Sequence, residues 1–323
     1  MSKQTEAVVR VTRAIPGDLH VKGARVEVLG DGLAPRERVL EFVRGASAVV
    51  SMFTDRVDAE LLDAAGPGLL GVCQYAVGHD NIDLEACRER GVVVTNTPDA
   101  VTEGTANLAW LLVLGVARRL IRADRYARSA AYPGNGPLGM GDFLGKDLAG
   151  RTLLIVGAGR IGQAVALRAQ AWGMRTLYVA RTPKRSMEGS PIAGERVELH
   201  EGLARADVVS VHAPLTEQTR HLLDDAAFGV IKPGAIVVNT ARGAVIDEAA
   251  LVRALEAGRL WGAGLDVYEQ EPRVHPALVG RDDVVLTPHI GSAEVRFREQ
   301  MTEMVLAAAG EVLAGREPMH RIA

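Results

Sequence analysis

Five polar residues stand at the ends of apolar runs in the C-terminal half of the chain: Arg242 in "VVNTARG", Asp266, Glu269 and Glu271 in "GLDVYEQEP", and His289 in "VVLTPHIGSA". Any one of them alone reads as a capping or solvated side chain. A histidine, a carboxylate and an arginine that converge are different. They can give a proton to an oxygen on which negative charge develops, with a fixed cation beside it. Other chemistries lack their residues: the eight histidines are scattered, and neither an H-E-x-x-H motif nor a Cys/His cluster is present. Zinc hydrolysis therefore has no ligand set. No G-x-S-x-G elbow supplies a serine nucleophile either.

A second pattern says what such a site would work with. "TLLIVGAGRIGQAVALRAQAW" places Gly157, Gly159 and Gly162 in G-x-G-x-x-G spacing after an apolar run and before a helical pattern. The first glycine makes the turn, the second lets the backbone approach a pyrophosphate, and the third lets helix and strand close up. Ile161, Val165, Ala169 and Trp172 are expected on one face of that helix. An acid that bonds a ribose 2′-hydroxyl is due about 20 residues further on. Counting 181 − 162 = 19 from the last glycine gives Arg181, followed by Thr182, Lys184 and Arg185, with no acid before Glu188. This basic turn is either a solvated strand end or a partner for a 2′-phosphate. The second reading predicts NADP(H) as the preferred cofactor, with NAD(H) possible.

The elements that must position these groups follow from periodicity. Short β-branched runs ("AVVRVTRAI", "RVEVL", "SAVVSM", "LLGVCQYAVG", "VVVTNT") alternate with helical patterns, and a second such series starts at "RTLLIVG" and continues through "RTLYVA", "DVVSVHAP", "GAIVVNT", "GAGLDV" and "DVVLTPH". Alternation of this kind means βαβ units, hence α/β architecture with two doubly wound parallel sheets. In such sheets the carboxyl ends of the strands face the ligand, which is where the five polar residues stand. A single long helix is expected from Thr102 to about Arg128, with an apolar stripe through Leu108, Leu111, Leu112, Val116 and Leu120. The Gly/Pro-rich stretch 130–147 reads as a loop. A last helix is expected over 294–314, placed to pack back on the first domain.

Bulk properties narrow the partners. At 323 residues the chain suits two domains, and a formal charge of −3 without a long Lys/Arg block gives no general attraction to nucleic acid or anionic lipid. The most apolar segment, "LAWLLVLGVA", is too short to span a bilayer, and the first residues have no apolar signal region. A cytoplasmic protein is expected. Cys73 and Cys87, the two cysteines, lack any paired spacing and suit a reducing compartment.

Together, "YAVGHDNIDLEACRERGVVVTNTP", "GAGRIGQ", "NTARGAVIDEAAL", "GAGLDVYEQEP" and "VVLTPHIGSA" resemble the D-2-hydroxyacid dehydrogenase family, closest to its glyoxylate/hydroxypyruvate reductases. The similarity covers nearly the whole chain in order. It implies a flavodoxin-like substrate domain, discontinuous over 1–99 and 291–323, with a Rossmann cofactor domain of residues 100–290 inserted in it and the active site in the cleft. It also implies a homodimer built around the helix from Thr102. His289 would be the acid/base, Glu271 the residue that orients it and stabilises its protonated form, and Arg242 the cation for the 2-oxo acid. The backbone amides of Val77 and Gly78 would cradle the substrate carboxylate. Thr105, Arg160, Ile161, His212, Ala213, Pro214, Thr219, Thr240, Ala241, Asp266 and Gly291 match positions that line the cofactor, with Gly157, Gly159, Gly162, Arg181, Thr182, Lys184, Arg242 and His289. The resemblance gives Glu269 no role. One departure concerns the Gly/Pro loop, where the reductases often carry tryptophans and this chain has Tyr132 and Leu138.

The implied reaction is reduction of a small 2-oxo acid to the D-2-hydroxy acid. Two other family activities, 3-phosphoglycerate and phosphite dehydrogenation, fit less well, because "QYAVGHD" has no lysine and no added regulatory domain is read in the chain. A corepressor-like nucleotide sensor of the same fold would bring recruitment segments, which are not read here.

Overall fold

A computed structural model of the chain describes residues 6–323. It divides into two compact units: the first runs to Val101 and takes up Ser292–Ala323, and the second is Thr102–Gly291.

The first unit holds five strands, β1 (Ala7–Val11), β2 (Ala24–Val28), β3 (Ala48–Ser51), β4 (Gly71–Gln74) and β5 (Val93–Thr95). They pair in parallel in the order β2-β1-β3-β4-β5, the flavodoxin-like arrangement. Every residue of β3 and β4 is buried, which is why these runs read as continuous rather than alternating. The helix Val295–Leu313 covers this sheet so closely that a Cβ on Gly71 would lie 2.9 Å from Val312 Cγ1. Two crossover helices are capped by aspartates, Asp58 accepting the Leu61 amide and Asp83 the Ala86 amide. Cys73 and Cys87 are buried and free, and burial pushes both thiols up to about 11, so neither is a ready nucleophile.

The second unit carries β6 (Thr152–Val156), β7 (Arg175–Val179), β8 (Glu195–Arg196), β9 (Val208–Val211), β10 (Ala235–Asn239), β11 (Leu260–Leu265) and β12 (Val284–Leu286). Their order, β12-β11-β10-β9-β6-β7-β8, is that of a Rossmann sheet with one strand added. Along β6, Leu154 and Val156 belong to one apolar layer and Leu153 and Ile155 to the other, as a strand covered on both faces requires. The strand β8 escapes the sequence reading because two exposed polar residues leave no periodicity to detect.

Three expectations need correction. The helix from Thr102 stops at Ala117, and a second, Leu120–Ala127, leaves it at 67°. At the break Arg119 has a left-handed backbone (φ 56), and its guanidinium lies 3.6 Å over the Trp261 ring while Nη1 donates to the Trp261 carbonyl. Of the apolar stripe, Leu112 and Val116 are buried, whereas Leu111 and Leu120 are about half exposed. Trp172 lies past the end of the helix Arg160–Ala169, stacked on Trp110 at 5.9 Å. Within the Gly/Pro stretch, Ala131–Asn135 forms a short helix. No single helix among the described residues is long and apolar enough to cross a membrane.

Candidate active site

The three glycines of the loop after β6 do three different things. Gly157 has φ +101, and a Cβ there would lie 2.5 Å from the Ala213 amide nitrogen. Only glycine permits both the turn and this approach. At Gly162 a Cβ would stand 2.3 Å from the Gly157 carbonyl oxygen, so helix and loop are in backbone contact. A Cβ on Gly159 would meet nothing within 4 Å beyond its chain neighbours, and no side chain caps the helix that starts at Arg160. The amides of its first turn thus border open space suited to an anion. The segment after β9 seals the other side, with the His212 amide bonded to the Val156 carbonyl at 2.7 Å. Two polar atoms nearby, His212 Nδ1 and Thr240 Oγ1, are buried with no hydrogen-bond partner. These features fit a dinucleotide. The turn with Arg181 and Thr182 follows β7 at the surface.

The acid/base candidates gather at the other end of the sheet order. His289 follows β12, and its Nδ1 lies 2.8 Å from Oε2 of Glu271. Oε1 of that carboxylate accepts the Tyr268 amide at 3.1 Å, so both oxygens are oriented. His289 has a left-handed backbone (φ 55), held by its amide on the carbonyls of Asp266 and Thr287. Asp266, at the end of β11, is 1% exposed. Its Oδ1 accepts from Thr287 Oγ1 at 2.6 Å and the Ile290 amide at 2.8 Å, and its Oδ2 accepts the Gly291 amide at 2.9 Å. Burial pushes this carboxyl up, against the pull of those donors. A Cβ on Gly291 would meet Thr105 Oγ1 at 3.2 Å and Asp266 Oδ2 at 3.3 Å, which brings Thr105, Asp266 and Gly291 into one cluster.

Arg242 follows β10. Its carbonyl accepts from Asn239 Nδ2 at 2.9 Å, and its Nη1 donates to the Ala241 carbonyl at 2.8 Å. The next residue locks this loop to the one bearing Glu271: a Cβ on Gly243 would be 1.9 Å from the Tyr268 carbonyl carbon and 2.4 Å from the Glu269 nitrogen. Glu248 and Glu269 complete the bracket, each carboxylate accepting the other's backbone amide at 2.8 to 2.9 Å.

In the first unit, the loop after β4 has its carbonyls tied down one by one. Ala76 accepts the Thr97 amide at 3.0 Å, Val77 accepts Asn96 Nδ2 at 2.8 Å, and Gly78 accepts Gln74 Nε2 at 3.2 Å. Gln74 is itself fixed by Ser51 Oγ at 2.6 Å. In a planar trans peptide the N–H points opposite to the carbonyl, so the amides of Val77, Gly78 and His79 are turned away from these anchors. Successive amides arranged in this way favour an anion.

Comparison with known proteins shows the family. Residues 110–291 match the family model described as D-isomer specific 2-hydroxyacid dehydrogenase, NAD binding domain. A glyoxylate reductase of Thermococcus onnurineus is 50% identical over 84% of this chain and 80% of its own. The chain belongs to the D-isomer-specific 2-hydroxyacid dehydrogenases. Among solved structures, a protein from Thermus thermophilus aligns with a TM-score of 0.91 at 45% identity, covering 98% of this chain and 100% of that one. An NADPH-dependent glyoxylate/hydroxypyruvate reductase from Sinorhizobium meliloti, solved with NADP and malonate, aligns at 0.85 with 30% identity over 99% and 97%. The protein is therefore an NAD(P)-dependent dehydrogenase with the two-domain fold of its family.

In this 2-hydroxyacid dehydrogenase, Val77 and Gly78 lie in the first unit. In the second, Arg181, Thr182 and Lys184 follow β7, Thr240, Ala241 and Arg242 follow β10, and Glu269 pairs with Glu248. The other candidate site residues singled out in the sequence fall into two local groups of the second unit. Gly157, Gly159, Arg160, Ile161, Gly162, His212 and Ala213 surround the glycine loop, and Pro214 and Thr219 follow, Thr219 Oγ1 donating to the Pro214 carbonyl at 2.6 Å. Thr105, Asp266, Glu271, His289 and Gly291 form the other group. The residues that build the supports, Asn239, Gly243, Glu248, Gln74 and Asn96, were not singled out in the sequence. Asn239 and Gly243 flank Arg242 in "NTARG", and that proximity was the available signal.

Proposed function

We propose that this dehydrogenase reduces small 2-oxo acids, glyoxylate and hydroxypyruvate first among them, to D-2-hydroxy acids, with NADPH preferred over NADH. The observation that carries the reading is the His289–Glu271 pair at 2.8 Å, locked by Gly243 packing to the loop that bears Arg242. The glyoxylate reductase relatives support the substrate class.

When bound, the reduced nicotinamide supplies a hydride. Gly157, Gly159, Gly162 and the first amides of the helix at Arg160 would hold its pyrophosphate, and His212, Thr240 and the cluster of Thr105 and Gly291 would line the rest. As charge grows on the substrate oxygen, His289 gives it a proton. Since Nδ1 is bonded to Glu271, the donor is Nε2, and the carboxylate stabilises the imidazolium before transfer. Arg242 supplies positive charge beside the oxo acid. In the first unit, the successive amides of Val77 and Gly78 suit a carboxylate. Arg181, Thr182 and Lys184 favour the 2′-phosphate of NADPH where a carboxylate would repel it. On this reading the protein acts in the cytoplasm as a homodimer. The exposed Leu111, Leu120, Tyr132, Leu138, Met140 and Leu144, all between residues 111 and 144, support the dimer as apolar surface that a second copy would cover.

A panel of 2-oxo acids assayed with NADPH and NADH, with chiral analysis of reduced hydroxypyruvate, tests the proposal. Glyoxylate and hydroxypyruvate should lead the panel, and the glycerate should be the D isomer. Predominant L-glycerate, or activity confined to other acids, overturns it.

A further inference from the structure

The basic turn after β7 is tethered from two sides. From within, the phenol of the fully buried Tyr178 accepts the Lys184 amide at 3.0 Å and donates to Glu188 Oε1 at 2.5 Å. From the sheet edge, Arg196 of β8 donates Nε to the Ala180 carbonyl at 3.0 Å and Nη2 to the Arg181 carbonyl at 3.1 Å. None of these bonds uses the side chains of Arg181, Thr182 or Lys184. They act on the backbone of the turn and on the first acid that follows it.

A merely solvated strand end has no need of such tethers, since exposed turns satisfy their backbone with water. A turn that must present cations to one small anion gains from them, because conformational freedom lost before binding is not lost again on binding. The phenol has a second effect. Glu188 is the acid nearest in sequence to Lys184 and Arg185, and once released from Tyr178 its carboxylate would compete with a phosphate for their charge.

We propose that Tyr178 and Arg196 are positioning residues for recognition of a ribose 2′-phosphate, fixing the turn so that Arg181, Thr182 and Lys184 meet a phosphate monoester already arranged. The inference rests on the NADPH reading above. Neither residue touches the reacting atoms.

The test is calorimetric titration of the whole protein with adenosine 2′,5′-bisphosphate and with 5′-AMP. Tyr178→Phe removes one oxygen and keeps the ring, and Arg196→Leu removes the other tether at an exposed site. Each variant should bind the bisphosphate about five- to thirty-fold more weakly, the range for hydrogen bonds to or around charged groups. Binding of 5′-AMP should change by less than about two-fold at a nearly constant melting temperature, since it lacks the 2′-phosphate that the turn is proposed to meet. If the wild type shows no preference for the bisphosphate, the NADPH reading fails and this inference with it. A wild-type preference that survives in both variants overturns the inference alone, as does an equal loss for both ligands. If Tyr178→Phe melts far below the wild type, the same ratio measured on Arg196→Leu decides.

Discussion

Nδ1 of His289 and Oε2 of Glu271 meet at 2.8 Å across 18 residues of sequence, and the second oxygen of the same carboxylate is held by the Tyr268 amide. The carboxylate is therefore aimed rather than merely near, and the imidazole it holds has a defined tautomer when neutral. With Nδ1 held in this way, Nε2 is the atom that the proposed proton transfer uses.

Removing the donor or the cation should abolish most catalysis without unfolding the protein. His289→Ala and Arg242→Ala should each lower turnover on glyoxylate by about two to four orders of magnitude, the range for a positioned acid or charge. Glu271→Gln keeps the shape and loses the charge, so its loss should be smaller than that of His289→Ala. Steady-state rates with circular dichroism as the folding control decide this, and near-normal turnover in either alanine variant refutes the assigned roles.

Gly243→Ala should damage the site from outside the reacting groups. Its Cβ would fall 1.9 Å from the Tyr268 carbonyl carbon, an impossible contact that must push the Arg242 loop away from the Glu271 loop. The expected cost is about 1 to 3 kcal/mol in stability, as for other overpacked sites, together with a fall in kcat. Thermal melts and rates on the same sample check it. A variant with normal kcat would mean that the two loops need not be in register.

Cofactor choice should follow the charge at position 181. Arg181→Asp replaces an attraction for the 2′-phosphate with a repulsion and supplies a partner for the 2′-hydroxyl of NADH. The wild type should favour NADPH by about ten- to a hundred-fold, a range limited by solvent and salt at an exposed turn, and the variant should reverse the order. Michaelis constants for both cofactors measure it. Equal constants in the wild type would make "RTPKR" a solvated loop.

Acid should weaken the fold through His212. Burial lowers its imidazole from 6.5 to about 3, and Nε2 is engaged with Ser210 Oγ at 2.8 Å. Between those values the unfolded chain takes up a proton that the folded one refuses, so stability is full above about pH 6.5 and declines as pH falls toward 3. By pH 5 the loss from this one group should be about 2 kcal/mol. Urea midpoints at pH 7 and pH 5 should therefore draw closer together in His212→Gln than in the wild type. An unchanged gap would mean that His212 does not resist protonation.

The candidate site residues were legible because type and local order are properties of the chain. Apolar runs bounded by polar ends identify strands covered on both faces, and three glycines at fixed spacing identify a turn that other residues cannot make. The same local logic found His289, Glu271 and Arg242 at strand ends. It failed where a partner lies far along the chain. The helix from Thr102 carries a continuous helical pattern, yet it breaks at Arg119 because Trp261, 142 residues away, offers its ring and its carbonyl to that guanidinium. Trp172 looked like part of a helix face and instead stacks on Trp110.

What tertiary structure alone decided is the set of supports. Gln74 and Asn96 hold the carbonyls of the Val77–Gly78 loop, Glu248 and Glu269 clasp two loops of the sheet end, and Tyr178 with Arg196 ties the basic turn. Each support is a side chain bonding to a backbone group outside its own helix or strand, from four residues away for Gln74 to 21 for Glu248 and Glu269. No periodicity marks such a residue, because the satisfied partner is chosen by the fold and not by neighbours in sequence. A buried polar side chain with its bonds made is, in the sequence, only a polar residue in an apolar run.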